Sequence, residues 1–365
     1  MTVSISGTDG VTFNDSSVQT TASKVGMVNR IINGAMVLDQ RNAGASVVAP
    51  TAGGYTLDRW FAEENTDGAA TIQQISDAPT GFSNSLRFTV TTADASLGAT
   101  QGCEILQNIE GFNTFDLAFG TASASTITLS FWVKSSLTGT FGGALRNSAY
   151  SRSYPYTYTI SSANTWEYKT VTIAGDTSGT WIGATNGVGL RVGFGLGIGS
   201  TFSGTAGAWA GSNFASATGA TNVMGTLSAT WQVTGVQLEK GSTATSFDYR
   251  PFGTELALCQ RYFWKTFAAA TAPAQNLSAN NVVFVGGANG NANTKVGTYP
   301  CPVQMRADPT VVTFNPFAAN ASWRVPATST DIAPTITATQ QAIQFSLPLT
   351  TESCAHGQIT ASAEL

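Results

Sequence analysis

The sequence carries little charge. Of its 365 residues, 10% are Asp, Glu, Lys or Arg, whereas an ordinary globular protein contains roughly 25%. Ser, Thr, Asn and Gly take their place, and the net charge is −4. The basic residues are scattered and form no stripe of the kind that follows a nucleic-acid backbone. We therefore expect no nucleic-acid partner, and a surface this poor in charge favours extended β architecture and large polar contacts between subunits.

Metal-binding and catalytic residue patterns are also scarce. The four cysteines, at positions 103, 259, 301 and 354, form no Cys-x-x-Cys pair, and His356 is the single histidine. A zinc site is therefore not expected, and the cysteines are interpreted as four free thiols. Cys354 lies two residues from His356, so a strand would place both on one face, but no acid at a readable spacing would orient the histidine. We expect no catalytic and no metal site.

No stretch of the chain is long and apolar enough to span a membrane, so no membrane insertion is expected. The N-terminal residues "MTVSISGTDGVTF" lack the basic start and the apolar run of a signal peptide. The sequence thus predicts a protein made in the cytoplasm without a signal peptide. Such a protein could still act outside a cell if it leaves on a particle.

Alternating apolar residues are what the sequence does contain. Residues 85–92 (SLRFTVTT) and 126–135 (TITLSFWVKS) each place apolar side chains at every second position. This period is typical of half-buried antiparallel strands. The parity of the apolar residues changes near Gly235, which indicates a β-bulge. Many short strands separated by polar, glycine-rich turns predict a jelly-roll β-sandwich between about residues 29 and 250.

Residues 189–200 (GLRVGFGLGIGS) form an unusual strand pattern. One face carries apolar side chains and the other carries Gly193, Gly195, Gly197 and Gly199. Glycine weakens a strand unless another backbone or a ligand approaches that face closely. We therefore expect something to lie against these glycines.

One short helix is predicted at residues 251–266. Pro251 ends the preceding strand, Thr254 is a candidate N-cap, and Glu255 suits the positive end of the helix dipole. A broad apolar arc contains four residues that we interpret as trimer-interface or connector positions: Leu256, Cys259, Tyr262 and Phe263. A helix of about three turns is marginal alone, so tertiary or quaternary packing must hold it.

These patterns divide the chain into four segments. Residues 1–26 carry alternating Val3, Ile5, Val11 and Phe13 but too little apolar surface to fold alone, so this segment needs a partner. The jelly roll spans residues 27–250, the connector helix 251–266, and a C-terminal β-sandwich 267–365. The predicted fold class is mainly β, and homotrimeric.

Candidate ligand-binding residues are rigid aromatics in or beside Gly-, Ser- and Thr-rich loops: Tyr154, Tyr156, Trp181 and Trp209. Such side chains, with an apolar body and a polar tip, are typical of shallow recognition sites. Burial in the core or in a subunit interface is the other interpretation. A loop of the C-terminal domain, residues 286–295, is the alternative site. Cleavage of glycosides would need two carboxylates about 5–10 Å apart, and the candidates are Asp58, Glu63, Glu64, Glu104 and Glu110.

Several motifs together resemble a family of bacteriophage and prophage tail-fibre-like proteins. They are "NRIINGAMVLDQR", "YTLDRW", "LRNSAYSRSY", "TWEYKTVTIAGDTSGTW", "GTAGAWAG", "TGVQLEKGSTATSFDYRPFGTELALCQRYF" and "YPCPVQMRADPTV", over most of residues 27–310, with "ASAEL" at the end. Residues 4–22 resemble the short attachment segment of many phage fibres. The resemblance implies a jelly roll similar to carbohydrate-binding modules, a virion location and a trimer. Such modules often hold a structural Ca²⁺, but this chain has "TGVQLE" where they tend to carry an acidic residue, so no cofactor is expected.

The resulting hypothesis is a virion fibre, a tail fibre or fibre tip, that contacts host-surface glycans and joins the virion through residues 1–26. It is expected not to be an enzyme. Two alternatives remain open at this point. One is a head or collar decoration fibre with a structural role only, and the other is a polysaccharide-cleaving tailspike.

Overall fold

The protein is described from a computed structural model. It covers residues 27–277, 281–286, 294–349 and 354–365, together with the backbone of 4–6, 10–12 and 18–19. The predicted mainly β fold class is confirmed, since these residues contain strands throughout and a single short α-helix. No helix in this part of the chain is long and apolar enough to cross a membrane.

The N-terminal segment contains three short antiparallel strands, β1 (Ser4–Ser6), β2 (Gly10–Thr12) and β3 (Val18–Gln19), in one sheet. The side chains on which its predicted attachment role depends, Val3, Ile5, Val11 and Phe13, lie outside the described residues. That role stays a prediction.

The jelly roll consists of two six-stranded antiparallel sheets. Sheet I has the order β13-β10-β17-β8-β7-β4, and sheet II has the order β12-β11-β14-β9-β6-β5. A small parallel pair, β15 and β16, lies outside both sheets. The bounds are β4 Val47–Val48, β5 Gly54–Leu57, β6 Trp60–Glu64, β7 Ala69–Ile75, β8 Ser85–Thr92, β9 Gly102–Glu110, β10 Ile127–Ser135, β11 Gly139–Arg146, β12 Ser153–Ile160, β13 Glu167–Ile173, β14 Val188–Ile198, β15 Ser203–Gly204, β16 Ser216–Ala217 and β17 Thr230–Lys240. Short 3₁₀ turns occupy Gly111–Asn113, Phe115–Leu117 and Ser200–Phe202.

The core of the jelly roll lies between the two sheets. Its apolar side chains come from alternate positions, as the period-two pattern predicted, because successive side chains of a strand point to opposite faces. Strand β10 contributes four fully buried side chains, at positions 127, 129, 131 and 133. Trp60 and Trp231 are among the largest fully buried side chains in the described chain.

The glycine face of β14 is covered by the protein's own chain. A Cβ on Gly195 would lie 2.8 Å from the Cβ of Ser216, and one on Gly197 would lie 2.7 Å from Oδ1 of Asn222. Segment 199–224 therefore lies directly on the backbone of this strand. The other two glycines have different neighbours: the Glu104 side chain approaches Gly193, and the backbone of residues 98–99 approaches Gly199. The expectation that something lies against these glycines is thus confirmed at all four positions.

The bulge near Gly235 is also confirmed. Ser130 of β10 pairs with Gln237, but Trp132 pairs with Thr234, so β17 has one extra residue between these pairs. Gly235 adopts a φ of +61° there. This left-handed conformation suits glycine, which carries no Cβ.

The helix is shorter than predicted. It spans Phe252–Gln260, with Pro251 rather than Thr254 at the N-cap position. Phe263–Lys265 instead form strand β18, which pairs with residues 360–362 near the end of the chain. The predicted helix 251–266 was therefore too long, because pairing with a distant strand overrides the local helical pattern.

The helix packs against the jelly roll of its own chain. Cys259 and Tyr262 form a buried cluster with Ile32 and Leu38, and Leu256 packs at its edge. Glu255 accepts a hydrogen bond from the backbone of residue 33.

Three of the four predicted trimer-interface residues are consequently unavailable to a second copy. Cys259 and Tyr262 are fully buried and Phe263 is almost so, while Leu256 is half-buried. Their apolar arc faces the jelly roll of the same chain rather than a symmetry axis. Whether the protein is a trimer stays a prediction, but its contact is not built from these three side chains.

The C-terminal region contains two sheets. In the larger, β26 pairs with four strands, β18, β19, β21 and β22, and β23 extends it; the smaller has the order β20-β25-β24. Trp323 and Phe345 lie in its core. The bounds are β19 Val283–Val285, β20 Lys295–Pro300, β21 Thr310–Phe314, β22 Trp323–Val325, β23 Thr330–Ile332, β24 Thr335–Ala338, β25 Ala342–Leu347 and β26 Ala355–Ser362.

The residues after β26 join the C-terminal region to the jelly roll. Glu364 forms ion pairs with Arg41 and Arg59. The guanidinium of Arg306 donates hydrogen bonds to the backbone carbonyls of Ala363 and Glu364. Strand β26 thus leads directly into a charged contact with the other domain.

Candidate functional site

A cleft of about 250 Å³ opens on the outer face of sheet II. We call it the sheet cleft. Its floor comes from neighbouring strands: Glu63 from β6, Glu104 from β9 and Arg146 from β11. On these strands the residues of opposite parity, such as Ala62, Cys103 and Leu145, lie in the core. Strand alternation therefore sends the polar side chains outward into the cleft.

The charges of the cleft are largely balanced within it. Glu63 and Glu104 are direct cross-strand neighbours, and Arg146 donates a hydrogen bond to the Glu104 carboxylate. Arg146 is 3% exposed. Burial alone would lower the pKa of its guanidinium, but the Glu104 carboxylate outweighs burial and raises that pKa. The exposed group is the Glu63 carboxylate, while the Glu104–Arg146 pair forms a fixed, neutral floor.

Tyr150 provides an aromatic wall. Its ring lies 4.4 Å from the guanidinium carbon of Arg191 and 5.1 Å from that of Arg146, within the range of cation–π contacts. Tyr150 has a φ of +56°, which a non-glycine residue adopts mainly in tight turns. Asn147 holds this turn, because its side-chain oxygen accepts hydrogen bonds from the backbone N–H groups of Ser151 and Arg152.

The opposite wall comes from the segment that covers the glycines. Phe202, Asn213 and Ala215 line the cleft from this side, and the Asn213 side-chain oxygen lies 3.5 Å from Nη1 of Arg146. Asn65 and Gly102 complete the rim. The cleft thus combines an aromatic face, carboxylate and amide oxygens, and a neutralised cation, which suits a ligand rich in hydroxyl groups.

Three of the four predicted ligand-binding aromatics come together elsewhere. Trp181 and Trp209 are half-buried, with ring centroids 5.5 Å apart, and Tyr154 lies 5.3 Å from Trp209. Phe119, which the sequence analysis did not single out, contacts both tryptophans at 4.9 and 5.6 Å. The indole N–H of Trp209 donates to the carbonyl of Ala174. Tyr154 is 8% exposed and belongs to the core of the jelly roll, so its interpretation as a surface contact for a ligand is corrected. The role of Trp181 and Trp209 in binding stays a prediction.

Trp181 also borders a second cavity, of about 290 Å³, beside the 3₁₀ turn Phe115–Leu117. Phe115 is 56% exposed at its edge. Few polar side chains line this cavity, among them Thr114 and Thr121. It therefore offers less hydrogen bonding to a polar ligand than the sheet cleft does.

Tyr156, the fourth predicted residue, belongs to the core of the protein. It is 1% exposed, and its hydroxyl donates to the carbonyl of Gly193 at 2.9 Å. Burial raises the pKa of this hydroxyl well above its usual value. Its interpretation as a surface contact for a ligand is corrected, because strand β12 turns this side chain inward.

Four of the five candidate carboxylates are engaged in internal contacts. Asp58 accepts two hydrogen bonds from Gln40, and Glu64 accepts from Thr66. Glu104 pairs with Arg146, and Glu110 pairs with Arg261 and accepts from Tyr262. Glu63 is the exposed member. The structure thus brings Glu63 and Glu104 side by side, but the latter is bound to a guanidinium.

His356 lies in strand β26 between two aromatic rings. Phe284 is 5.3 Å and Phe317 5.6 Å from it, centroid to centroid. Burial, with the charge of Arg324, lowers the pKa of the imidazole. Its neighbours among the described residues are thus aromatic and cationic. Within the same residues, no three His, Cys, Asp or Glu side chains are grouped as metal ligands.

The sheet cleft was missed at the level of sequence. Its residues come from four strands, β6, β9, β11 and β14, and from the segments between them, and they become neighbours only through strand pairing. The parity of Glu63 and Glu104, each outward on an otherwise apolar strand, was the only local signal. The alternative loop of residues 286–295 lies mostly outside the described residues and is not placed here.

No protein-family model matches the chain. No curated protein matches it either. Several solved structures are distantly similar to the chain. The enzymatically active domain of tailspike protein 4 of bacteriophage CBA120 is 13% identical, with a TM-score of 0.31, over 59% of this chain and 22% of that chain. A carbohydrate-binding module called CBM4 is 15% identical, with a TM-score of 0.28, over 57% and 98%.

The family 11 carbohydrate-binding module of a Clostridium thermocellum cellulosomal cellulase is also similar. It is 15% identical, with a TM-score of 0.27, over 51% of this chain and 90% of that module. The match to the tailspike spans less than a quarter of the length of its enzymatically active domain. Likeness at this level does not bear on what the chain binds, and the site has to carry the functional argument by itself.

Proposed function

We propose that this chain is a phage virion fibre that binds glycans of the host surface through the sheet cleft. The observation that carries the proposal is the composition of the cleft: the Tyr150 ring, the exposed Glu63 carboxylate, and the amides of Asn65 and Asn213 around a neutral ion pair. Glycan hydroxyls donate to carboxylate and amide oxygens, and the C–H face of a sugar ring packs on an aromatic face. The sequence resemblance to tail-fibre-like proteins supports the virion role.

In this proposal the protein binds without cleaving. Glycoside hydrolysis needs one carboxylic acid and one carboxylate free to act on the sugar. In the sheet cleft the Glu104 carboxylate is held by the Arg146 guanidinium, which supports binding over hydrolysis. Measurement of reducing sugar released from purified host envelope polysaccharide separates the two, and release that Glu104→Gln abolishes would favour the tailspike alternative.

The assembly is proposed as a homotrimer joined to the virion through residues 1–26. Light scattering on the purified protein at micromolar concentration gives the oligomeric state, and a monomer would contradict the trimer. Deletion of residues 1–24 is expected to leave the folded body intact and to remove the protein from purified particles. Antibody that blocks adsorption separates a receptor-binding fibre from a head or collar decoration fibre.

The binding role is tested by replacing Tyr150. We expect Tyr150→Ala to weaken binding to host cells or to envelope polysaccharide by about 2 kcal/mol or more, the loss typical of a central aromatic contact. Tyr168→Ala is the matched control, since Tyr168 is 43% exposed on strand β13 of the other sheet. The melting temperature of both variants is measured alongside. Unchanged binding by a folded Tyr150→Ala protein would contradict the assignment of the cleft.

A further inference from the structure

A separate pocket lies between the end of the helix and the C-terminal sheets. It has a volume of about 500 Å³, within the range of roughly 300–1,000 Å³ common for small-molecule sites. We call it the junction pocket. It is lined by Gln260, at the last position of the helix, by residues 264–266 of and beside strand β18, and by Asn281, Val282, Tyr299, Pro300 and Pro302.

An aromatic pair forms one wall. The rings of Trp264 and Tyr299 are stacked, with centroids 5.7 Å apart and planes 18° from parallel. Trp264 is 2% exposed and Tyr299 is 37% exposed, so the buried indole supports an accessible phenol ring. Because the Trp264 ring beneath it is buried, Tyr299 presents a supported flat surface to the pocket, which Pro300 and Pro302 also line.

Trp264 also brings a buried donor to this wall. Its indole N–H makes no hydrogen bond of ordinary geometry in the described structure, and its polar neighbour is the Cys301 sulfur, a weak acceptor. Because this nitrogen has almost no accessible surface, the indole serves the wall by packing under Tyr299 rather than by contacting a ligand.

The remaining polar groups are mainly neutral. Gln260 and Asn281 contribute side-chain amides, each able to donate and accept. Lys265 is the one charged residue of the lining, and its ammonium already donates to the backbone carbonyls of Ala269 and Thr271 at 3.0 and 2.7 Å. Amides suit hydroxyl groups, which both donate and accept, better than they suit a fully charged group.

We propose that the junction pocket is a second saccharide-binding site, separate from the sheet cleft. The C–H face of a sugar ring would pack on Tyr299, and its hydroxyls would meet the side-chain amides of Gln260 and Asn281. The proposal rests on the proposed function in one respect, that the protein's ligand is a glycan. It adds a second binding position beside the end of the helix, so that each chain holds a glycan at two places.

Two sites on one chain have a functional consequence. A polymer bound at one site is held near the second, so the second contact forms at a raised effective concentration. Overall binding to a polysaccharide can then exceed the affinity of either site for a short fragment.

The test uses the full chain and a printed array of defined oligosaccharides, followed by calorimetric titration with the strongest binder. Four proteins are compared with the wild type: Tyr299→Ala, Tyr150→Ala, the double variant, and Tyr168→Ala as an exposed-tyrosine control. We expect two molecules bound per chain in the wild type and in Tyr168→Ala, one in Tyr299→Ala and in Tyr150→Ala, and none in the double variant. Gln260→Ala provides a second, smaller change in the junction pocket and should weaken that site at least tenfold.

The outcomes separate the two ideas. If wild-type protein binds no array member, both the glycan function and the second site are wrong. If it binds one molecule per chain, and Tyr150→Ala removes that binding while Tyr299→Ala and Gln260→Ala do not, the second site is wrong and the proposed function stands. If Tyr299→Ala alone removes binding, the junction pocket holds the glycan and the assignment of the sheet cleft is wrong.

Discussion

Arg59 and Glu364 are 305 residues apart in the chain, yet they form an ion pair in which both side chains are more than nine-tenths buried. Arg59 follows strand β5 of the jelly roll, and Glu364 follows the last strand of the C-terminal region. The Arg59 guanidinium also lies over the ring of Tyr262, 3.6 Å from its centroid, and donates to the carbonyl of Asn108. The segment that follows the helix, the jelly roll and the C-terminal region therefore meet at one guanidinium.

This ion pair yields the first prediction. Glu364→Gln removes the negative partner and leaves Arg59 buried without a counter-charge, which typically costs about 3–5 kcal/mol of unfolding free energy. Urea unfolding of the two proteins measures the difference. The matched control is Asp331→Asn in the partly exposed Arg324–Asp331 pair, where about 0–1 kcal/mol is expected. Equal losses in both variants would contradict a special role for the buried pair.

The second prediction concerns acid. Arg30, which is 4% exposed, donates two hydrogen bonds of 2.8 Å to Asp116. Burial raises the pKa of the Asp116 carboxyl, but the hydrogen bonds and charge of Arg30 outweigh it and hold that pKa below its ordinary value of 3.8. A folded pKa below the unfolded one stabilises the protein above the unfolded pKa, and this contribution is lost as pH falls through the folded pKa.

Asp116→Asn should therefore destabilise the protein at pH 7 and matter progressively less as the pH falls below 4. Urea unfolding of the wild type and the variant at pH 7, 4 and 3 checks this. Asp308→Asn, at an exposed carboxylate, is the control. A stability difference that stays constant down to pH 3 would show that the effect of the substitution does not come from the charge.

The third prediction tests the close contact of strands β11 and β14. A Cβ on Gly143 would lie 2.3 Å from the carbonyl oxygen of Gly193 and 2.5 Å from the hydroxyl of Tyr156. Gly143→Ala forces the backbone to move and should lower the free energy of unfolding by about 1–3 kcal/mol. Gly183→Ala is the control, because nothing lies within 4 Å of a Cβ there. Thermal unfolding of both variants measures the difference. An unchanged melting temperature for Gly143→Ala would mean that β11 and β14 are not in such close contact.

The fourth prediction concerns the four free thiols. Cys354 is exposed and Cys301 is half-buried, whereas Cys103 and Cys259 are buried. Burial also raises the pKa of both buried thiols well above the usual value, so they hold little of the reactive thiolate. Iodoacetamide should modify Cys354 first, Cys301 more slowly, and the other two only in denaturant.

Peptide mass mapping of the alkylated protein reads this order directly. Rapid modification of Cys259 in the native protein would contradict the prediction. The Cys259 side chain of the helix is buried against Ile32 and Leu38, so its reaction would show that the helix detaches from the jelly roll.

Local patterns predicted much of the fold. Strands β8 and β10 follow period-two alternation closely, and the parity change at Gly235 located the bulge, because these signals depend only on neighbours in sequence. The length of the helix was wrong for the opposite reason. Residues 263–265 continue the helical apolar pattern, but they pair with residues 360–362 as a strand. No feature of the neighbouring sequence indicates that pairing.

The candidate site was harder to predict for the same physical reason. Proximity to Gly- and Ser-rich loops selected Trp181 and Trp209, which are half-buried. It also selected Tyr154 and Tyr156, which are buried, and their inward direction depends on the register of β12 with β11. Glu63, Glu104 and Arg146 become neighbours only through three strand pairings: β6 with β9, β9 with β14, and β14 with β11.

The position of strand β26 affects how the protein is made. It pairs with β18, β19, β21 and β22, and it leads into Glu364. Almost a hundred residues must therefore be synthesised after β18 before that strand can pair with β26. Until then β19, β21 and β22 also lack the strand with which they all pair. The jelly roll can close earlier, since its strands are complete at Lys240. A nascent chain would thus carry a finished first domain and an open second one, and any premature stop before Ala355 would remove the shared strand and the buried counter-charge of Arg59 together.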